Sequence, residues 1–116
     1  MMPTQTTIWH NPRCSKSRET LALLNENGVQ PAVRLYLSDA PNEAEIIAVR
    51  NALGVTADAM MRKGEKLFKE LALATASEAE LIDAMIAHPI LIERPIFLND
   101  GKAAIGRPPE QVLGIL

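Results

Sequence analysis

Between Thr6 and Leu37 the side-chain pattern changes period twice, and that switch limits the topology of the chain more than any other feature of its sequence. Thr6-Thr7-Ile8-Trp9 is β-branched and aromatic, as a strand favours, and His10-Asn11-Pro12-Arg13 breaks it with turn-forming residues. From Ser15 an apolar face of Leu21, Ala22 and Leu24 runs toward Gly28, which suits the left-handed position that closes a helix. Ala32 to Leu37 then reads as a second strand. A helix between two strands makes a parallel crossover the natural connection.

The middle of the chain reads as helical. Pro41 opens a segment whose Ile46, Ile47, Val49 and Leu53 line one side up to Gly54, and a shorter stretch follows from Thr56 to Met61. Ser77 with Glu80 three residues later forms a capping box ahead of Leu81, Ile82, Met85 and Ile86, a helix that His88-Pro89 ends. Pro95-Ile96-Phe97-Leu98 and Lys102-Ala103-Ala104-Ile105 flank Asn99-Asp100-Gly101, a hairpin signal because Asp-Gly tolerates positive φ. A short helix from Pro109 ends the pattern. The order β-α-β, helices, β-β-α predicts an α/β thioredoxin-like fold with a helical insertion between its two halves. Residues 1–116 are expected to form one domain, since 116 residues suffice for one core and neither repeat nor linker interrupts them.

A net charge of −2 gives no general attraction to nucleic acid or to an acidic membrane face, so any anion site must be local. Apolar runs such as Pro89-Ile90-Leu91-Ile92 are too short to cross a bilayer, and Thr4, Gln5, Thr6 and Thr7 are polar where a signal peptide is apolar. A cytoplasmic location is expected, with no membrane partner. Cys14 is the only cysteine, so it remains a free thiol there and any redox chemistry it performs needs a partner from outside the chain.

Cys14 falls in the turn between the first strand and first helix, where free N–H groups and the positive end of the helix dipole favour an anion. Such a position stabilises a thiolate, and Arg13, Lys16 and Arg18 add positive charge beside it. The same N–H groups can cradle an oxyanion. No second histidine or cysteine lies near His88, so no metal site is expected; Met60, Met61 and Met85 read as core filling on helices.

His10-Asn11-Pro12-Arg13-Cys14-Ser15-Lys16-Ser17 resembles the His-Asn-Pro-x-Cys loop of the glutaredoxin-coupled arsenate reductases. The resemblance continues through Met61-Arg62-Lys63, through His88 to Ile96, and through Gly106-Arg107-Pro108 to Val112-Leu113-Gly114-Ile115-Leu116. It implies that Cys14 attacks arsenate and that Arg62, Arg94 and Arg107 hold its oxygens, a task suited to planar guanidinium forks. It also implies a cis bond before Pro95, facing the cysteine. Glutathione is the implied co-substrate and glutaredoxin the implied partner, with no bound cofactor, because Ser17 stands where a Cys-x-x-Cys pair has its second thiol.

Supporting roles fall to His10, Asn11 and Ser17. His10 stabilises the thiolate by charge if protonated or orients the loop by a hydrogen bond if neutral, the first being preferred; the Ser17 hydroxyl either donates to the thiolate or simply starts the helix. Two alternatives stay open. One is a thiol reductase of the same fold acting on another oxyanion or a glutathione adduct. The other is a non-enzymatic regulator binding RNA polymerase, as some relatives of this fold do, which the retained arginines disfavour.

Overall fold

The computed structural model describes residues 6–116; Thr4 and Gln5 lie outside the described residues. Strand β1 (Thr7–Trp9) leads into helix α1 (Ser15–Glu26) and strand β2 (Ala32–Arg34). Helices α2 (Glu43–Leu53), α3 (Lys66–Glu70) and α4 (Glu78–Ala87) follow, and the hairpin β3 (Ile96–Asn99) and β4 (Lys102–Ile105) precedes a terminal 3-10 helix, Pro109–Ile115. The sheet order is β2-β1-β3-β4, with β1 and β2 parallel and the other pairs antiparallel. This is the thioredoxin-like arrangement with a helical insertion.

Residue alternation along the strands assigns the two faces of the sheet. Ile8 and Phe97, paired across β1 and β3, pack with Leu24 of α1 and Val112 of the terminal helix. Their neighbours Trp9, Ile96 and Leu98 point the other way, into a larger cluster with Ile46, Val49, Leu81 and Met85 of α2 and α4. Each face is thus covered by helices, and the ends of β1 and β3 open toward the Cys14 loop. No helix among the described residues is long and apolar enough to cross a membrane.

Local chemistry sets the boundaries. Asn42 and Ser77 each accept a hydrogen bond from the N–H of Glu45 and Glu80, whose carboxylates reach back, so α2 and α4 both begin with capping boxes. Asp100 and Gly101 carry φ of 51° and 80°, the double positive that the tight hairpin needs.

Three expectations need correction. The second strand stops at Arg34, because the N–H groups of Ser38 and Asp39 both close on the Leu35 carbonyl and pull residues 35–38 into a turn that buries Tyr36. Ala57–Met60 is a 3-10 turn and Met61 is extended, bridged to Ile92, so Met60 and Met61 are buried core residues without lying on an α-helix. The terminal helix is 3-10 rather than α. The sequence reading also passed over α3 and the 3-10 turn Leu73–Thr75, which are too short to display a period.

Candidate active site

Cys14 is the N-cap of α1, with extended backbone angles and a side chain that does not cap the helix. The first-turn N–H groups behind it therefore face the loop without a side-chain acceptor. The loop is tied at each step: Cys14 N–H donates to the Asn11 carbonyl at 3.0 Å, Arg13 N–H to Asn11 Oδ1 at 3.0 Å, and Arg18 Nη1 to the Pro12 carbonyl at 2.9 Å. Arg18 thus braces the loop, while Lys16 pairs with Glu19 at 3.5 Å.

His10 and Ser17 lie under this loop, both buried. Ser17 Oγ is 2.6 Å from His10 Nδ1 and accepts the Asn11 N–H at 3.0 Å. Burial lowers the His10 pKa, and the charge of Arg18 lowers it further. The preferred electrostatic role for His10 is therefore replaced by the hydrogen-bonding one: a neutral ring holds Ser17, and Ser17 holds Asn11. The Ser17 hydroxyl is thus engaged by His10 and Asn11.

The arginines arrive from three directions. Arg107 follows β4, and its Nη1 lies 4.0 Å from Cys14 Sγ and 3.2 Å from the Arg94 carbonyl oxygen. Arg94 precedes Pro95 through a cis bond, and a second cis bond joins Arg107 to Pro108. The Arg94 side chain is 14% exposed and its Nε is buried with no hydrogen-bond partner. Arg62 N–H donates to the Leu91 carbonyl at 2.8 Å, pinning the insertion alongside Glu93; its own guanidinium is ion-paired to Glu65 at 3.0 Å. The fold thus brings Arg107 to the cysteine and joins Arg94 to it through Arg107 and the shared Glu93, while Arg62 is paired with Glu65.

Several contributors escaped the sequence reading. Glu93 Oε1 lies 3.7 Å from Arg107 Nε and 3.8 Å from Arg94 Nη1. Burial raises its pKa, against the lowering pull of Arg107 and Arg62. Tyr36, also buried, has a hydroxyl pKa pushed up to about 12 by burial, with Arg62 opposing and the Cys14 and Glu93 charges adding to the rise. Gly106 passes between Thr20 of α1 and Pro95, where a Cβ would sit 2.5 Å from Thr20 Oγ1. A carboxylate inside Ile-Leu-Ile-Glu-Arg-Pro was the available signal for Glu93, since an acid in an apolar run needs a cationic partner. A cavity of about 210 Å³ adjoins the loop, lined by His10, Asn11, Pro12, Arg13, Leu35 and Leu37 among others.

A cysteine at a helix start, two convergent arginines and a third nearby can bind a tetrahedral anion and bring a sulfur to its centre. Comparison with known proteins agrees with this chemistry. The ArsC family model matches residues 9–115. The chain is 54% identical to the uncharacterized protein YfgD of Escherichia coli strain K12, covering 99% of each. It is 50% identical to an arsenate reductase of Haemophilus influenzae, over 94% of this chain and 97% of that one. Among solved structures, an arsenate reductase from Vibrio cholerae superimposes with a TM-score of 0.94 at 50% identity, covering 97% of this chain and 98% of the other.

Proposed function

The chain belongs to the ArsC family, and we propose that it reduces arsenate to arsenite through a bond between Cys14 sulfur and arsenic. The observation that carries the reading is the Arg107 guanidinium, 4.0 Å from Cys14 Sγ and anchored on the Arg94 carbonyl, which gives an oxyanion a cation beside the nucleophile. The buried, unpartnered Nε of Arg94 supports the same site, since a charged donor without an acceptor is one that a ligand can satisfy.

In the proposed reaction the Cys14 thiolate forms a sulfur–arsenic bond and one arsenate oxygen leaves as hydroxide, taking up a proton as water. Arsenic is still pentavalent. A glutathione thiolate then attacks Cys14 Sγ; the sulfur–sulfur bond forms, the sulfur–arsenic bond breaks, and its electron pair reduces arsenic to the trivalent state. Arsenite departs and Cys14 carries glutathione. A glutaredoxin thiolate attacks the glutathione sulfur and frees Cys14. The single thiol of the chain supports an external donor, and the cavity beside Pro12 and Leu35 supports approach of that donor from the β2 side of the loop.

Arg94 and Arg107 contribute by neutralising charge on the bound oxygens, with Arg62 joining when it exchanges Glu65 for the ligand. The testing experiment is arsenate turnover with glutathione and glutaredoxin, beside Cys14→Ser. Turnover that Cys14→Ser abolishes, with a glutathione adduct on Cys14 visible by intact mass, is expected. Equal turnover with thioredoxin and no glutathione refutes the electron path, and no turnover with either refutes the substrate.

A further inference from the structure

The guanidinium groups proposed to receive the oxyanion already share a carboxylate. Glu93 is held by its backbone N–H on the Met60 carbonyl at 2.8 Å, and its side chain is 23% exposed. Its Oε1 accepts the Arg94 N–H at 3.3 Å and lies within 3.8 Å of guanidinium nitrogens of both Arg94 and Arg107. Two anions cannot occupy the same pair of cations without repelling each other.

We infer that Glu93 is a positioning residue that occupies the arginine cluster until an oxyanion arrives and makes oxyanion binding proton-linked. The inference rests on the oxyanion site proposed above. Arginines cannot give up charge near neutral pH, so the group that adjusts when a second anion enters must be the carboxylate. Burial already favours its protonated form.

The surrounding groups come from several elements. Arg62 with its partner Glu65 comes from the insertion, Arg94 is the neighbour in sequence, and Arg107 follows β4. Tyr36 from the turn after β2 stays uncharged throughout the neutral range, with its hydroxyl pKa at about 12. Cys14, at the start of α1, has its sulfur 4.0 Å from Arg107 Nη1. His10 faces Ser17 instead. Of these groups, Glu93 alone couples directly to both arginines and carries a charge that protonation can remove. By linkage, the factor by which a proton on Glu93 tightens the oxyanion equals the factor by which the oxyanion tightens the proton. A carboxylate and a doubly charged oxyanion about 6 Å apart, at an effective dielectric of about 40, repel by about a factor of a hundred in binding.

Sulfate is the probe, because its charge stays fixed over the pH range where arsenate and phosphate titrate. Its affinity is measured by calorimetry in Cys14→Ser, which removes the thiol's own titration, with and without Glu93→Gln. Glutamine keeps the shape and an acceptor for the Arg94 N–H. In Cys14→Ser the sulfate affinity should rise at least about tenfold, toward a ceiling of about a hundredfold, from about pH 7.5 to about pH 5. Adding Glu93→Gln should give the tighter affinity at both pH values and flatten that rise; His10 titrates in both proteins and drops out of the comparison.

Weaker binding with Glu93→Gln at the higher pH, or an unchanged slope, overturns the inference while leaving the oxyanion site standing. Failure of sulfate to bind either protein at any pH overturns the site and the inference together. The carboxyl ¹³C resonance of Glu93 gives a reading that needs no Glu93 variant: adding sulfate near about pH 6 should move it toward its protonated position. A stationary resonance on saturation overturns the inference.

Discussion

Gly106→Ala tests whether packing beneath the loop sets the position of Arg107. The added Cβ would lie 2.5 Å from Thr20 Oγ1, 2.8 Å from Pro95 Cγ and 3.0 Å from Thr20 Cγ2. Comfortable contacts between carbons begin at about 3.5 Å, so each overlap is roughly half an ångström to one ångström. Neither neighbour yields easily. Thr20 is fully buried, with its hydroxyl donating to the Lys16 carbonyl at 2.7 Å, and Pro95 accepts the Gly106 N–H at 2.9 Å. The backbone at 106 must move instead, carrying Arg107 with it. Overpacking of this kind costs about 1–3 kcal/mol of stability. A displacement of about 1 Å at a substrate-binding group costs roughly a hundredfold in turnover. Denaturant unfolding and arsenate kinetics measure the two effects, and a double-mutant cycle with Thr20→Ala isolates the cause. Thr20→Ala removes two of the three clashing atoms, so the coupling should be about 1 kcal/mol or more in favour of the double variant. Strict additivity, or a Gly106→Ala protein with native stability and native turnover, would refute the reasoning.

Arg107→Ala should lower arsenate turnover by roughly a hundredfold to a thousandfold, the loss seen when one donor to a developing oxyanion is removed, and near-native kcat/KM would show that this guanidinium does not serve the substrate. His10 gives a pH prediction whose sign follows from its lowered pKa: the stability it contributes is fully present above its unfolded value of 6.5 and is lost as pH falls through the lower folded value. The unfolding free energy should therefore drop on acidification below about pH 6.5, with His10→Gln flattening that part of the profile; parallel profiles for the two proteins would remove the buried neutral ring from the argument.

The sequence displayed the parts of this molecule that are governed locally. The α4 capping box, the Asp100-Gly101 turn and the period change around Cys14 each depend on residues a few positions apart, and each appears in the fold as expected. Contacts between distant segments were hidden. Arg34 leaves β2 to pair with Glu45 of α2 and to bond the Ala40 carbonyl, and the turn beside it draws Tyr36 inward; nothing in Ala32 to Leu37 alone distinguishes this from a longer strand. Glu93 is a similar case. Its partners are separated from it in sequence: the Met60 carbonyl meets it because residues 60–62 pair with residues 91–93, and Arg107 because β4 pairs with β3. The cysteine and arginines were legible because the family resemblance names them, whereas the preference for a charged His10 failed because burial is a tertiary quantity.

Ser17 explains how a loop with one sulfur keeps its shape. In a two-thiol loop the second sulfur can close a disulfide, but here a buried hydroxyl accepts the Asn11 N–H and bonds His10 Nδ1. Asn11 in turn receives the N–H groups of Cys14 and Arg13, so the position of the sulfur descends by hydrogen bonds from His10 through Ser17 and Asn11. A thiol at this point is a weak donor and weak acceptor and would loosen the buried chain that a hydroxyl completes. The arrangement favours a fixed nucleophile over an internal resolving group. On the proposed reading that choice has a chemical consequence: the adduct on Cys14 meets no second thiol from its own chain, and release of product waits on a thiol that enters from solution.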